Sequence, residues 1–229
     1  HRIIIEKKEP GGLLKKIGVI LMTFTKTTTF LKTDLNKDYW EHRYQNDQTG
    51  WDAGQVTLPL KEYTDQITNK ELKILVPGAG YGHEVLHLAH LGFENVTVVD
   101  FSVSALRNLK ARLPENCNYQ LIEGDFFEHN GTYDLILEQT FFCALEPDLR
   151  PSYAQHCFDL LAEKGKIAGV LFNFELTEKG PPFGGSLTEY QNLFTPYFEL
   201  RILEACYNSI KPRQGNELFF IFEKSTIVK

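Results

Sequence analysis

The chain has 229 residues, 42% of them apolar, which is enough to bury one substantial core and predicts a single main domain. Its formal charge of −6 argues against a nucleic-acid partner, because a phosphate backbone is bound by a clustered patch of lysine and arginine. The longest apolar run near the start, residues 17–22, is too short for a membrane span or the core of a signal peptide. We therefore expect a cytoplasmic protein that acts on small molecules.

Residues 1–35 differ in character from the rest of the chain. Their first part mixes isoleucine-rich patches with lysines, and residues 23–33 are rich in threonine. We expect an extension followed by a mobile arm. Met22 is the only methionine, which suggests that residues 1–21 do not belong to the native protein. The catalytic or binding domain is expected to span residues 36–229.

Aromatic residues dominate the first predicted helix. Asn36 is a suitable N-cap for a helix over residues 37–45, on which Trp40 and Tyr44 lie about one turn apart. Trp51 follows in the next loop, before a second helix expected over residues 57–67. These rings either belong to the core or form a lid over a cationic ligand, because aromatic faces attract cations.

A strand and a glycine-rich loop come next. The apolar run 72–76 lacks polar alternation, which predicts a strand buried on both faces of a mostly parallel sheet. Gly78, Gly80 and Gly82 follow directly, where a side chain would keep the backbone from a ligand. A helix over residues 81–91 then begins with free N–H groups that face the loop.

The second strand, residues 96–99, ends at Asp100, where a carboxylate can accept hydrogen bonds from the hydroxyls of a ribose. The pattern predicts an α/β fold that binds a cofactor with a ribose. The G-x-G-x-G spacing is commoner in S-adenosylmethionine (SAM) methyltransferases than in dinucleotide enzymes.

An alternative lies in the helix after the glycine loop. His83, Glu84 and His87 form H-E-x-x-H, which places two imidazoles on one helix face as zinc ligands with a glutamate as general base. The motif begins in the first turn of the helix, beside a loop built for another ligand. A zinc hydrolase is the weaker hypothesis, and no metal is expected.

Two further strands are expected to contribute to the site. A helix over residues 103–113 leads to a third strand, 119–123, after which Asp125 either accepts a hydrogen bond from an adenine amino group or is an ordinary turn acid. Phe126 offers apolar surface to the adenine ring. After the fourth strand, 133–137, Phe141 and Phe142 suggest an apolar pocket floor.

The rest of the chain completes the alternation of helices and strands. A loop over residues 174–185, which contains Phe183, is a candidate lid for the acceptor. Lys211 and Arg213 lie at the mouth of the terminal hairpin, where cations either belong to a solvated turn or favour an anionic acceptor. The elements expected here are a helix over 151–162, a strand over 166–172, a helix over 187–194 and a hairpin of 198–207 with 217–223.

The chain resembles the thiopurine S-methyltransferase family, and more closely its branch of thiol and halide (thiocyanate) methyltransferases from plants, fungi and bacteria. The run FFCALEPDLRP is the most diagnostic because it is long and unusual. The matching pieces are YWEHRYQNDQTGWDAG, LVPGAGYGHE, VVDFS, GDFF, FFCALEPDLRPSYA and GPPF. The resemblance implies a Rossmann-like class I fold with a seven-stranded, mostly parallel sheet, a reversed last strand and helices on both faces.

The resemblance also implies SAM as the cofactor, S-adenosylhomocysteine as the product, and specific site residues. The residues that match the family's donor site are Trp40, Tyr44, Trp51, Gly78, Gly80, Gly82, Asp100, Phe101, Asp125, Phe126 and Gln139. Gln139 stands where the halide branch often has a tyrosine, which puts halide preference in question. The candidates for the acceptor pocket are Phe141, Phe142, Arg150 and Phe183. Val76 stands where methyltransferases in general place an acid, a departure that this family shares.

The expected activity is methyl transfer from SAM to a small soft nucleophile, such as a thiol, bisulfide, a thiopurine, thiocyanate or a halide. These acceptors arrive nucleophilic and need no strong general base. Glu138 is the one nearby acid that stays open as a base. The alternatives are a SAM-binding protein without turnover and the zinc hydrolase. We expect a monomer.

Overall fold

The structure is a computed structural model that describes residues 34–226. The expected extension, most of the expected arm and the question of whether residues 1–21 are native lie outside this range. None of the helices between Asp34 and Thr226 is long and apolar enough to cross a lipid bilayer.

One sheet of seven strands organises the described chain, in the order β3-β2-β1-β4-β5-β7-β6. The first five strands pair in parallel, and β7 is antiparallel to both of its neighbours. The predicted parallel sheet with a reversed last strand is therefore confirmed. The strands are β1 (Ile74–Pro77), β2 (Val96–Asp100), β3 (Gln120–Glu123), β4 (Tyr133–Gln139), β5 (Leu161–Phe172), β6 (Phe198–Ala205) and β7 (Glu217–Lys224).

Helices cover both faces of this sheet, as predicted. They are α1 (Lys37–Gln45), α2 (Leu58–Asp65), α3 (His83–His90), α4 (Val103–Arg112), α5 (Arg150–Leu160) and α6 (Leu187–Phe194). Alternate residues of a strand point to opposite faces. Thus Leu75 packs in a core with Tyr153 of α5 and Phe194 of α6, whereas Ile74 packs in a second core with Leu88 of α3 and Leu109 of α4.

Most predicted elements lie within a few residues of their observed bounds, and the largest difference is at α5. The predicted helix to residue 162 ends at Leu160, and β5 begins at Leu161 rather than at Lys166. Residues 163–165, between the predicted helix and the predicted strand, instead form an irregularity inside β5, where Lys164 has a φ of 60° and the pairing with β4 shifts register. Backbone pairing with β4 thus continues the sheet through a segment with turn composition.

The parallel topology positions the site. The carboxyl ends of β1 to β5 meet at one edge, and the strand order reverses between β1 and β4. In open α/β sheets ligands bind outside the carboxyl ends at such a switch point. The loops after β1, β2, β3 and β4 all line one cavity of about 660 Å³ there.

Candidate active site

The glycine loop after β1 is held against the end of β2. The N–H of Gly80 donates to Oδ2 of Asp100 at 2.9 Å, and the N–H of Ser102 donates to Oδ1 at 2.8 Å. Asp100 is only 7% exposed, and burial raises the pKa of its carboxyl, while these two N–H donors oppose the shift. The two hydrogen bonds therefore fix the orientation of the carboxylate, and Asp100 lines the cavity.

Gly80 itself lacks room for a side chain. Its φ is 55°, a conformation that favours glycine, and a Cβ built on it would lie 2.5 Å from the hydroxyl of Tyr44. The aromatic wall of the cavity therefore approaches the bare backbone closely.

That aromatic wall comes from α1 and the following loop. The Trp40 and Trp51 ring centroids are 5.5 Å apart, and those of Tyr44 and Trp51 are 5.7 Å apart, both edge to face. Asn36 caps α1 by accepting the N–H of Tyr39 at 3.0 Å. Burial raises the pKa of the Tyr44 hydroxyl far above its usual range, so this ring stays neutral. Three packed rings thus form one side of the site.

The ends of β3 and β4 form the opposite wall. Asp125 accepts the N–H of Phe127 at 2.9 Å, which fixes its carboxylate at the start of a short 3-10 turn. The ring of Phe126 packs against that of Phe141 with centroids 5.2 Å apart. At the end of β4, Oε1 of Gln139 accepts the hydroxyl of Thr57 at 2.9 Å.

The structure brings eleven of the predicted site residues together around the cavity. They are Trp40, Tyr44, Trp51, Gly78, Gly80, Asp100, Phe101, Asp125, Phe126, Gln139 and Phe141.

The other four predicted residues lie outside the cavity lining. Gly82 has a φ of 67°, and a Cβ there would lie 2.6 Å from the side chain of Leu109, so this glycine serves the packing of α3 on α4. Phe142 is 1% exposed and packs in the core. Phe183 is 5% exposed, and its N–H donates to the carbonyl of Cys143 at 2.8 Å.

Arg150, the fourth of these, is tied into the fold. It is 2% exposed, pairs with Glu189 at 2.5 Å and donates to the carbonyl of Gly184 at 2.7 Å. Its guanidinium also lies 4.7 Å from the Phe142 ring centroid. Arg150 therefore joins the loop before α6 to the core beneath the cavity.

Several lining residues were not predicted. Thr57, Arg43 and Phe172 are among them, whereas Glu84 was named only as the base of the zinc alternative, and Pro181 and Pro182 belong to the predicted acceptor lid. Arg43 lies one turn after Trp40 on the same helix, so its position beside the aromatic wall could have been predicted from helical spacing. Its guanidinium is 5.2 Å from the centroid of the Trp51 ring. Glu84 is adjacent to Val85, which the apolar pattern of α3 places on the buried face, and Glu84 is itself buried.

The two histidines of the H-E-x-x-H motif face different carboxylates. Nε2 of His83 is 2.8 Å from Asp52, whereas Nε2 of His87 is 2.7 Å from Asp65 at the end of α2. Within residues 34–226 no group of three histidines, cysteines or acids is placed to hold a metal ion. Only Glu84 and His83 of the motif reach the cavity.

Glu138 supports the loop after β4. It is fully buried, and its carboxylate accepts the N–H groups of Phe141 and Phe142 at 2.8 and 3.0 Å and the hydroxyl of Tyr153 at 2.8 Å. Burial raises the pKa of this carboxyl to about 7, against the lowering effect of the three donors. Since it does not line the cavity, Glu138 shapes the loop rather than touching the ligand.

Comparison with known proteins decides the family. The sequence model of thiopurine S-methyltransferase matches residues 35–228. The chain belongs to the thiopurine S-methyltransferase family. The resemblance drawn from its motifs is thus confirmed.

Individual relatives agree with this assignment. The probable thiol methyltransferase 2 of Arabidopsis thaliana is 31% identical over 193 residues, which cover 82% of this chain and 85% of that relative. Thiocyanate methyltransferase 1 of the same plant is 28% identical over 206 residues, covering 87% and 90%. The solved 1,6-didemethyltoxoflavin-N1-methyltransferase of Burkholderia thailandensis, with bound S-adenosylhomocysteine, has the same fold, with a TM-score of 0.65 at 16% identity over 82% of this chain and 87% of that one.

This member of the family is a SAM-dependent methyltransferase, and its product from the donor is S-adenosylhomocysteine. The residues present fit that donor. The buried Asp100 carboxylate faces the cavity, the glycine backbone leaves room beside it, and the aromatic wall suits a positively charged sulfur.

Proposed function

We propose that this methyltransferase transfers the methyl group of SAM to a small soft nucleophile: a thiol, bisulfide, a thiopurine, thiocyanate or a halide. The names of two relatives, a thiol and a thiocyanate methyltransferase, support this acceptor class. The observation that carries the proposal is the composition of the cavity on its β4 and β5 side.

The sheet order separates a donor half from an acceptor half of the cavity. Asp100 and Asp125 follow β2 and β3, and a carboxylate after β2 is the usual ribose ligand, so this half suits the adenosine of SAM. On the other side most of the lining is apolar, with Phe141, Phe172 and Pro181 among its members. We assign this half to the acceptor. Because the donor fills much of about 660 Å³, the remaining space suits a small molecule.

We assign the donor contacts on the same basis. Asp100 would accept the ribose hydroxyls, Asp125 and Phe126 would contact the adenine, and Trp40, Tyr44 and Trp51 would cover the sulfonium. The placement of Phe101, Gln139 and the backbone of Gly78 and Gly80 on the same lining supports their inclusion.

The acceptor half suits an anion that is already nucleophilic. Bound SAM supplies an electrophilic methyl group on a positively charged sulfur. Transfer of that methyl group to an anion removes two opposite charges, so an apolar lining that excludes water favours the reaction, and alignment of the reactants supplies the rest. Arg213 also lines the cavity: its Nη2 donates to the carbonyl of Trp51 at 2.6 Å, and its Nη1 forms an ion pair with the Glu217 carboxylate at 3.6 Å.

Two side chains near the end of β4 that could act as a base or a nucleophile, Glu138 and Cys143, are held in other roles. Glu138 is satisfied by three donors outside the cavity lining. Cys143 lines the cavity, but burial and the nearby Glu138 carboxylate raise the pKa of its thiol far above the usual range, so it stays protonated. The arrangement therefore favours acceptors that need no deprotonation by the protein.

The finer biological setting is also a proposal. The formal charge of −6 supports a free small molecule rather than a nucleic acid as the acceptor and a monomer as the working unit. We also propose a cytoplasmic location. The family match to residues 35–228 supports a methyltransferase domain over residues 36–229, preceded by an extension.

An acceptor panel with labelled SAM tests the function. Iodide, thiocyanate, bisulfide, an aromatic thiol and a thiopurine are each incubated with the protein, and the methylated product is quantified. We expect turnover with at least one of them, and competition among those that react. Binding of S-adenosylhomocysteine with no methylation of any acceptor would support a SAM-binding protein without turnover and contradict the proposal.

A further inference from the structure

Glu84, at the start of α3, is a buried acid that lines the cavity with few partners. It is 8% exposed, and its carboxylate accepts the N–H of Thr57 at a long 3.3 Å. The backbone N–H groups of Glu84 and Thr57 both act on this carboxyl. Within the described residues no cation forms an ion pair with it, since His83 pairs with Asp52 and Arg213 with Glu217.

The other buried acids of the fold are better satisfied. Asp100 accepts two backbone N–H groups, Glu138 accepts three hydrogen bonds, and Glu217 pairs with Arg213 at 3.6 Å. A buried carboxylate without a cation or several donors is costly to keep charged. Burial accordingly raises the pKa of the Glu84 carboxyl. Such a group at a cavity wall fits a positively charged ligand atom.

The position of Glu84 indicates which part of SAM it would contact. SAM consists of an adenine, a ribose, a sulfonium and an amino acid, in that order. The adenosine half of the cavity follows β2 and β3, so the amino-acid portion extends over the glycine loop toward β1 and β4. Glu84 follows that loop directly, and its partner Thr57 donates to Gln139 at the end of β4.

The strand before the glycine loop supplies no acid of its own. Methyltransferases in general carry a carboxylate two residues before the first glycine, but Val76 occupies that position here, 3% exposed within an apolar core. A carboxylate that binds the ammonium group of the donor's amino acid would therefore have to come from another element. Glu84 is on the other side of the same loop.

We propose that the Glu84 carboxylate binds the α-ammonium group of the donor's amino-acid portion. This rests on SAM as the donor and not on the choice of acceptor. The glutamate of the H-E-x-x-H motif is then a donor-binding residue.

Calorimetric titration with three ligands tests this assignment. S-adenosylhomocysteine carries the ammonium group, decarboxylated S-adenosylhomocysteine keeps it, and 5′-methylthioadenosine lacks the whole amino-acid portion. Loss of one charge-assisted hydrogen bond lowers affinity by about tenfold or more. We expect Glu84→Gln to weaken both ammonium ligands by that factor and to leave the affinity for methylthioadenosine within about twofold.

Two further variants complete the design. Glu94→Gln removes one negative charge from an exposed loop and should leave all three affinities unchanged. It therefore controls for the effect of net charge on the electrostatic field of the protein. Glu84→Asp keeps the charge on a shorter side chain, so it should bind the ammonium ligands more tightly than Glu84→Gln does.

The outcomes separate binding from folding. An equal loss for methylthioadenosine and the ammonium ligands would overturn the assignment, as would unchanged affinity for all three. If Glu84→Gln binds no ligand and melts early, Glu84→Asp decides by the same comparison between ligands. Failure of the acceptor panel would leave these titrations unaffected, so the two proposals fail separately.

Discussion

Glu41 on α1 accepts the hydroxyl of Ser102 at 2.7 Å, and this contact ties the aromatic wall of the cavity to the strand end that carries Asp100. The same carboxylate accepts the N–H and the hydroxyl of Ser104 at 3.1 and 2.6 Å. These donors lower the pKa of Glu41 to about 2, against the effect of burial. The helix that presents Trp40 and Tyr44 is thus held at the N-terminus of α4, where a negative charge is favoured.

Glu41→Ala should loosen that helix and weaken donor binding. We expect the dissociation constant of S-adenosylhomocysteine to rise by about tenfold and backbone amides of α1 to exchange faster, since several charged hydrogen bonds are lost. Asp38→Ala, an exposed acid on the same helix, is the matched control. Because the folded pKa of Glu41 is depressed, its stabilising effect is present above the usual pKa and is lost as the pH falls toward 2. Unchanged exchange in Glu41→Ala would show that the contact does not hold the helix.

Asp100→Ala should nearly abolish donor binding. The change removes the proposed ribose ligand and leaves the N–H groups of Gly80 and Ser102 without their acceptor. We expect the dissociation constant of S-adenosylhomocysteine to rise by about a hundredfold or more, since hydrogen bonds to a charged group contribute about 1.5–3 kcal/mol each. Calorimetry measures the change, and Asp159→Ala on the exposed face of α5 is the control. Binding equal to that of the parent would remove Asp100 from the site.

Trp51→Ala should distinguish the charged donor from its neutral product. An aromatic ring near a sulfonium contributes about 1–2 kcal/mol, so the dissociation constant of SAM should rise by about tenfold. The rise should be smaller for S-adenosylhomocysteine, whose sulfur is uncharged, and smaller for Trp51→Phe, which keeps a ring. Equal effects on both ligands would mean that Trp51 contributes packing with Trp40 and Tyr44 and no attraction to the sulfonium.

Glu138 should make the fold less stable as the pH rises. Its folded pKa of about 7 lies above the usual 4.5, so the folded state holds a proton that the unfolded chain has already released in this interval. The free energy of unfolding should therefore fall between pH 5 and pH 8, and Glu138 alone contributes up to about 3 kcal/mol of that decrease.

Denaturant unfolding of Glu138→Gln across the same range measures this contribution. Glutamine keeps an acceptor for the N–H groups of Phe141 and Phe142 but does not titrate, so its stability should depend less on pH than that of the parent. Glu163→Gln, at an exposed position in β5, should parallel the parent. Parallel curves for Glu138→Gln and the parent would show that Glu138 does not hold its proton in the folded state.

The local pattern of the sequence determined the framework of the donor site. Unbroken apolar runs such as 72–76 and 96–99 predicted buried parallel strands, because a strand covered on both faces needs no polar alternation. The positions of the glycine loop and Asp100 were predictable for the same reason, because each directly follows one of these strands in the sequence. Helical spacing and the family motif also indicated Trp40, Tyr44 and Trp51, which line the same cavity.

The tertiary structure decided which side chains face the ligand. Arg150 and Phe142 belong to the most diagnostic motif of the chain, yet both side chains lie in the core. Arg150 pairs with Glu189, and Phe142 packs against Tyr190, both of which are distant in sequence. The sequence suggested Glu84 as the general base of a zinc motif, whereas in the folded chain it is buried beside Thr57 and lines the cavity. Periodicity and motifs report the conformation of a single segment. The direction of a side chain depends on packing between distant segments, and only the folded chain specifies that.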